Sequence, residues 1–195
     1  MFDLVYPLNP VPVYPRPKIG FADTRNIHEE VFPVIEPSGL VIGEATRSYC
    51  HGGSRLLHPV VHLHLVNSRV ELCLQKRSSR KDLYPGLWDT AVGGHVSFGE
   101  SIEETLYREA GEEIGLAAFN PFWLETYVYE SGRERECVSV FASVGDFNLR
   151  PDEVEVDEIR WWSFREIEDN LGKSLFTPNF EDEFGRIRER LMTLL

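Results

Sequence analysis

Residues 94–116, GHVSFGESIEETLYREAGEEIGL, carry the strongest structural signal in the chain, because a glycine-containing loop passes there into an amphipathic segment rich in carboxylates. Ser101 and Glu104 have the Ser-x-x-Glu spacing of a helix N-terminal capping box. Gly115 is a natural helix stop, because glycine tolerates the left-handed conformation that ends many helices. The pattern therefore predicts a helix over residues 101–114.

Three glutamates lie close together on this predicted helix. At about 100° per residue, Glu109 and Glu113 project within roughly 20° of Ile102 on the apolar stripe, and Glu112 extends the acidic group. Neighbouring carboxylates of this kind repel each other, so a positive group should offset them. An ordinary solvated acidic face, with Arg108 paired to Glu104 or Glu112, is the alternative to a metal site.

The spacing of the whole segment favours the metal site. From Gly94 the chain reads Gly-x5-Glu-x7-Arg-Glu-Ala-x-Glu-Glu-x-Gly-Leu, and the central Arg-Glu pair is Arg108 and Glu109. Leaving out Ala and Leu, which need only be apolar, the seven specified positions coincide by chance on the order of 10⁻⁸ per starting residue at about 7% per position. The segment matches the Nudix box in full, and the chain therefore resembles the Nudix hydrolase superfamily.

This resemblance implies a fold, a cofactor and a set of roles. The fold would be an α/β (α+β type) structure, the Nudix α/β/α sandwich with a mixed β-sheet. The cofactor would be Mg²⁺ or Mn²⁺, because hydrolysis of a diphosphate needs charge neutralisation and an activated water. Glu109, Glu112 and Glu113 match the metal-binding carboxylates, and one of them would assist deprotonation of water. The Gly94 carbonyl matches a frequent backbone ligand, Arg108 would orient a carboxylate, and Glu100 would brace the loop.

The remaining sequence is compatible with a mixed sheet covered by helices. Short apolar runs separated by turn signals predict strands, and VVHLHLV and VELCLQK are predicted to form a hairpin across Asn67-Ser68. Later helices are predicted from Ser163 and from Thr177-Pro178, without a regular βαβ alternation. Residues 1–17 hold five of the 12 prolines, so we divide the chain into a proline-rich N-terminal arm, 1–29, and a Nudix domain, 30–195.

Three further stretches of sequence resemble one particular branch of this superfamily. HGGSRLLH, LQKRSSRKDLYPGLW and AVGGHVSFGES resemble, in order and spacing, the isopentenyl-diphosphate isomerases of the same superfamily. That resemblance implies a second metal site made of three histidines and two glutamates. Those five positions are His51, His58, His95, Glu134 and Glu136. A solvated turn with neighbouring arginines is the alternative for the two glutamates, and a satisfied structural role is the interpretation of His28, His62 and His64.

Gly93 separates two functional hypotheses. In the resemblance it falls at the position of the isomerases' catalytic cysteine. The Arg-Glu-x-x-Glu-Glu core, which is typically incomplete in the sequences of those enzymes, is intact here. Arg77 and Lys81, from the basic cluster at residues 76–81, match diphosphate-contacting positions. The leading hypothesis is a metal-dependent Nudix pyrophosphohydrolase acting on a nucleoside diphosphate derivative or a similar small diphosphate. The alternatives are an isopentenyl-diphosphate isomerase-like enzyme and a non-catalytic module that binds a diphosphate metabolite.

The composition and net charge limit the classes of molecule that we expect this chain to bind. The 195 residues carry 20 Lys plus Arg against 32 Asp plus Glu, a net charge of −12 that repels nucleic acid. No stretch predicts a signal peptide or a membrane span, and three scattered cysteines argue against a disulfide framework. We therefore expect a cytoplasmic protein that binds neither nucleic acid nor membrane, acts on a small-molecule diphosphate, and forms a homodimer if the arm lies across a partner.

Overall fold

The computed structural model describes residues 29–81 and 83–195, so the predicted arm lies outside the described residues except for Glu29. The strands are β1 Val31–Ile35, β2 Val41–Thr46, β3 Leu57–Val66, β4 Glu71–Arg77, β5 Trp88–Thr90, β6 Val92–His95, β7 Phe122–Glu130, β8 Arg135–Val144 and β9 Val156–Ser163. The helices are α1 Arg47–Tyr49, α2 Ile102–Ile114, α3 Phe164–Asn170 and α4 Pro178–Thr193. No helix of this part of the chain is long and apolar enough to cross a membrane.

The strands form two sheets. β1 and β2 make an antiparallel two-stranded sheet. The other seven strands form a sheet in the order β5-β4-β3-β8-β7, with β6 paired to β3 and β9 paired to β4. The predicted hairpin is confirmed, because β3 and β4 are antiparallel and Val66 lies opposite Leu72. A mixed α+β fold with helices flanking a multi-stranded sheet is therefore confirmed as the fold class.

The described residues divide into two compact units. The first comprises residues up to 61, 94–105 and 126–139, and the second comprises 62–93, 106–125 and 140–195. A buried cluster of Phe32, Val34, Ala45 and Cys50 forms an apolar core in the first unit. In the second unit, α4 buries an apolar stripe that consists of Phe180, Phe184, Ile187 and Leu191.

Local sequence signals explain where the site-bearing helix begins and ends. The Ser101 and Glu104 side chains and backbones form the reciprocal hydrogen bonds of a capping box at the start of α2. Gly115 ends it with φ of 65°, and its amide donates to the Gly111 carbonyl. The predicted 101–114 helix is therefore confirmed with the first residue serving as the cap.

Sequence reasoning missed two short helical segments, namely α1 and the turn that follows it. After α1 the chain continues as a π-helical turn, Cys50–Ser54, in which Gly53 has φ of 91°. Its CHGGS sequence offers no helical signal, because a glycine pair has low intrinsic helix propensity. This turn carries His51, one of the predicted ligands of the second metal site.

Candidate active site and metal centre

Glu113 is the most enclosed of the predicted catalytic carboxylates. It lies in the last turn of α2, is 5% exposed, and its Oε2 accepts hydrogen bonds from Gln75 Nε2 at 3.0 Å and from the Gly93 amide at 3.1 Å. Burial, and secondarily the negative charge of Glu109, raise the pKa of Glu113 to about 8. This carboxyl is therefore predominantly protonated at neutral pH unless a cation takes the place of its proton.

Arg108 lies beside the other two carboxylates of the predicted set. Its Nη1 donates to Glu109 Oε1 at 2.8 Å and to Glu112 Oε2 at 2.9 Å. The Glu109 side chain is largely buried, whereas that of Glu112 is 62% exposed. The helix thus places Glu109 and Glu113 on its protected side, as the periodicity predicts, and leaves Glu112 at the surface.

Glu100 braces the loop that precedes α2. Its Oε2 accepts from the Ser97 amide at 3.3 Å and from Thr105 Oγ1 at 2.9 Å. One carboxylate therefore connects the loop to the first turn of the helix, in agreement with the role expected from the sequence. Gly94 is buried on β6, where the predicted backbone ligand is the carbonyl of this residue.

The predicted diphosphate contacts, Arg77 and Lys81, are both paired with acidic residues. Arg77 Nη1 lies 3.4 Å from Asp89 Oδ2, and its Nε donates to the Leu83 carbonyl at 3.2 Å. Lys81 Nζ lies 2.7 Å from Glu155 Oε2. The Lys81 charge lowers the pKa of Glu113, although burial raises that pKa by more. Lys81 therefore lies within electrostatic reach of the Glu113 carboxyl.

The side chains predicted to form a second metal site come together within the first compact unit. His51 comes from the π-helical turn, His58 from β3, His95 from β6 and Glu136 from β8. Each of these four side chains offers one ligand atom, and the four atoms all lie within 4.8 Å of one another. The fifth predicted ligand, Glu134, has Oε2 3.8 Å from His51 Nδ1.

His58 provides a specific test of whether the cluster suits a metal. Its Nδ1 lies 2.9 Å from the Leu56 carbonyl, so that nitrogen carries the proton and donates it. Its Nε2 is buried and has no hydrogen-bond partner in the structure. A buried nitrogen lone pair without a donor is costly, and a divalent cation would satisfy it in the usual arrangement of a metal-ligating histidine. The residues present therefore fit a metal ion.

The surroundings of the cluster lower the pKa of two of its imidazoles, His51 and His58, and so favour the neutral form that binds metal. The Phe32 ring is fully buried and stacks on His95, with centroids 4.5 Å apart and planes 6° apart. Burial, followed by the neighbouring His95, lowers the pKa of His51 to about 3 and also lowers the pKa of His58. Glu134 and Glu136 are buried too, so the solvated-turn alternative for these two glutamates is wrong.

Two contributors to these sites were missed by the sequence analysis, namely Gln75 and Phe32. Gln75 continues the buried run of β4 that begins with the apolar residues Leu72, Cys73 and Leu74, and a buried amide at such a position needs a partner. That mismatch could have identified it as a donor to the site. Phe32 had no comparable signal, because its position beside the histidines depends on the pairing of β1 and β2 within the fold.

Comparisons with known proteins find relatives of this chain. The family model described as the NUDIX domain matches residues 56–180. An uncharacterised Nudix hydrolase of Yersinia pestis is 29% identical over 175 residues, covering 80% of this chain and 91% of the relative. An isopentenyl-diphosphate Delta-isomerase of Leifsonia xyli is 33% identical over 141 residues, covering 68% and 76%. A crystal structure of a Deinococcus radiodurans protein superposes with a TM-score of 0.71 at 21% identity, covering 80% of this chain and 98% of that one.

Proposed function

The chain belongs to the NUDIX domain family, and we propose that it is a metal-dependent pyrophosphohydrolase. Its substrate would be a nucleoside diphosphate derivative or a similar small molecule with a diphosphate linkage. The observation that carries this proposal is the intact carboxylate set of α2, in which Glu113 is buried and held by Gln75 and Gly93. The Nudix hydrolase relative from Yersinia pestis supports the same reaction class.

In this proposal the carboxylates serve as ligands and as the acceptor of a proton. Glu109, Glu112 and Glu113, with the Gly94 carbonyl, would hold Mg²⁺ or Mn²⁺. When bound, such a cation neutralises diphosphate charge and lowers the pKa of a water molecule. One of the three carboxylates accepts the proton of the attacking water. Arg108 keeps Glu109 and Glu112 oriented through the contacts of its Nη1.

Arg77 and Lys81 would bind the substrate's phosphate oxygens. Both side chains are only partly exposed, and their carboxylate partners hold them in place while leaving further N–H groups able to donate. The Lys81 charge acts on Glu113, so a phosphate that binds Lys81 would lie near the proposed metal-binding carboxylates. Cations at this position offset the repulsion between an acidic site and an anionic substrate.

The cluster formed by His51, His58, His95, Glu134 and Glu136 would hold a second metal ion. The support comes from the buried, unpartnered Nε2 of His58 and from the four ligand atoms within 4.8 Å of one another. Imidazole and carboxylate together suit Mn²⁺, Zn²⁺ or Fe²⁺. We propose this cluster as a second site because it shares no ligand residue with the carboxylate site of α2.

Isomerisation of an allylic diphosphate is the second candidate function. It is favoured by the His/Glu cluster and by the relative from Leifsonia xyli that is named an isopentenyl-diphosphate Delta-isomerase. Gly93 counts against it, because the resemblance places the catalytic cysteine of those enzymes at this position. A glycine there has no side chain that could deliver a proton to carbon.

The test is product formation from a panel of nucleoside diphosphate derivatives and prenyl diphosphates, with Mg²⁺ or Mn²⁺ supplied. We expect metal-dependent release of a phosphate monoester from at least one class of substrate. Glu113→Gln should lower kcat by at least about 100-fold. Glu103→Gln, the same substitution at an exposed position of α2, is the matched control and should retain wild-type turnover. Turnover that persists in Glu113→Gln would refute the proposal.

A further inference from the structure

Gln75 is a buried amide that contacts one of the carboxylates proposed to hold the cation. It lies on β4 and is 4% exposed, and its Nε2 lies 3.0 Å from Glu113 Oε2. An amide in the interior must satisfy its polar groups, whereas an apolar side chain of the same size would fill this place without a partner. The glutamine is therefore explained by the carboxylate that it contacts.

Both hydrogen bonds to the Glu113 carboxylate end on the same oxygen. Oε2 accepts from Gln75 Nε2 and, at 3.1 Å, from the Gly93 amide. Within the described residues, no hydrogen bond to Oε1 is found, and Oε1 is not among the unpartnered atoms that are sealed from solvent. Oε1 is therefore the oxygen of Glu113 that is open to solvent and able to bind a cation.

The Gln75 donor lies on a strand that has neighbours on both sides. On β5, Gln75 lies opposite Asp89, and on β9 it lies opposite Ile159. Both pairings are antiparallel, and their hydrogen bonds fix the backbone from which the Gln75 side chain extends. The second donor, the Gly93 amide, belongs to β6. Two donors from separate strands thus restrain Oε2 of Glu113.

We propose that Gln75 is a positioning residue that holds Oε2 of Glu113, so that Glu113 binds the cation through Oε1 alone. This assignment rests on the proposed function, because the cation is the one proposed for the carboxylates of α2. Hydrogen bonds to a ligating carboxylate orient it toward the metal, and their loss lowers metal affinity. In this role Gln75 contacts the ligand and not the ion.

Binding through one oxygen also affects which cation the site prefers. Mg²⁺ requires a near-ideal octahedral shell with short bonds, whereas Ca²⁺ accepts more ligands and often takes both oxygens of a carboxylate. The two donors at Oε2 of Glu113 oppose that two-oxygen arrangement. We therefore expect Gln75 to raise the affinity for Mg²⁺ more than the affinity for Ca²⁺.

The test measures Mn²⁺ binding to the full chain by electron paramagnetic resonance, with Mg²⁺ and Ca²⁺ as competitors. The carboxylate site is identified as the binding step that Glu113→Gln weakens. Gln75→Met keeps a similar volume and removes the donor, so it should raise the apparent Kd of Mg²⁺ about tenfold or more. The apparent Kd of Ca²⁺ should change less than about threefold, because access to Oε2 offsets the loss of orientation. Gln75→Leu removes the same donor with a different shape and should agree with Gln75→Met.

Leu74→Val is the matched control for disturbance of the strand. Leu74 is fully buried on β4, and side chains that are neighbours along a strand point to opposite faces of the sheet. This variant should lower thermal stability through lost packing. It should leave the apparent Kd of both cations within about twofold of wild type, because the Glu113 donors are unchanged.

Three results would overturn the assignment. They are wild-type Mg²⁺ affinity in both Gln75 variants, equal loss of Mg²⁺ and Ca²⁺ affinity in these variants, and the absence of any binding step that Glu113→Gln weakens. A Gln75 that served only to pack the sheet would reproduce the behaviour of Leu74→Val. Mg²⁺ binding that depends on Gln75, without turnover of any diphosphate by the wild-type chain, would refute only the proposed hydrolase activity.

Discussion

The buried carboxyl of Glu113 links the active site to the pH dependence of stability. Its pKa of about 8 in the folded chain, against an ordinary value of 4.5, means that the folded state holds a proton that the unfolded state releases. The contribution of this group to stability is therefore fully present below about pH 4.5 and is lost as pH rises through about 8. Without metal, Glu113 destabilises the fold at alkaline pH.

We predict that Glu113→Gln is more stable than wild type at pH 8.5 without divalent cations, by on the order of 2–4 kcal/mol. The advantage should disappear near pH 4, where Glu113 is protonated in both states. Denaturant unfolding at several pH values in chelator measures the difference. Glu112→Gln is the control, because Glu112 is 62% exposed, and it should show no such trend. A pH-independent gap between Glu113→Gln and wild type would contradict the burial argument.

His58 makes a separate prediction for the second metal site. Its unpartnered Nε2 is proposed as a ligand, so His58→Gln should bind one Mn²⁺ ion fewer per chain than wild type. Glu113→Gln should instead weaken binding at the carboxylate site and leave the histidine site intact. Manganese titration followed by electron paramagnetic resonance measures both. Equal stoichiometry in His58→Gln and wild type would show that the histidine cluster binds no metal.

At the scale of secondary structure elements, two glycines of the Nudix box have opposite roles. Gly111 lies inside α2, and a Cβ added to it would meet open space. Gly115 has positive φ, and a Cβ added to it would lie 3.1 Å from both the Cβ and the carbonyl oxygen of Arg150. Gly111→Ala should stabilise the fold by about 0.5–1 kcal/mol, because alanine has the higher helix propensity. Gly115→Ala should destabilise it by at least about 1 kcal/mol. Thermal unfolding of both variants gives the signs, and destabilisation by Gly111→Ala would contradict this account.

Helix boundaries could be predicted from the sequence, whereas contacts between distant residues could not. The start and end of α2 depend on neighbours within a few residues, so the Ser101–Glu104 box and Gly115 identify them directly. The partners of Glu113 and His62 lie far along the chain, at Gln75 and at Glu183. Such contacts form only once strands and helices have packed, and no local spacing encodes them. The five residues of the His/Glu cluster were predicted only because the family resemblance supplied the tertiary relation.

At the scale of the whole molecule, we propose that the chain consists of an arm, residues 1–29, and a catalytic domain, residues 30–195. The five prolines of residues 1–17 lack amide donors and favour an extended segment that could lie across a second copy. We therefore predict a dimer mass for the intact chain and a monomer mass after deletion of residues 1–17. Light scattering coupled to gel filtration measures both, and a monomer mass for the intact chain would contradict the prediction.

We propose above all that this chain breaks a diphosphate linkage rather than moving a carbon–carbon double bond of its substrate. Phosphorus nuclear magnetic resonance of the reactions with isopentenyl diphosphate and with nucleoside diphosphate derivatives, each with Mg²⁺, observes the linkage itself. Our account predicts that coupled diphosphate signals are replaced by phosphate monoester signals in at least one reaction, and that Glu113→Gln prevents this change. Intact diphosphate signals throughout, with isopentenyl diphosphate converted to its allylic isomer, would contradict it.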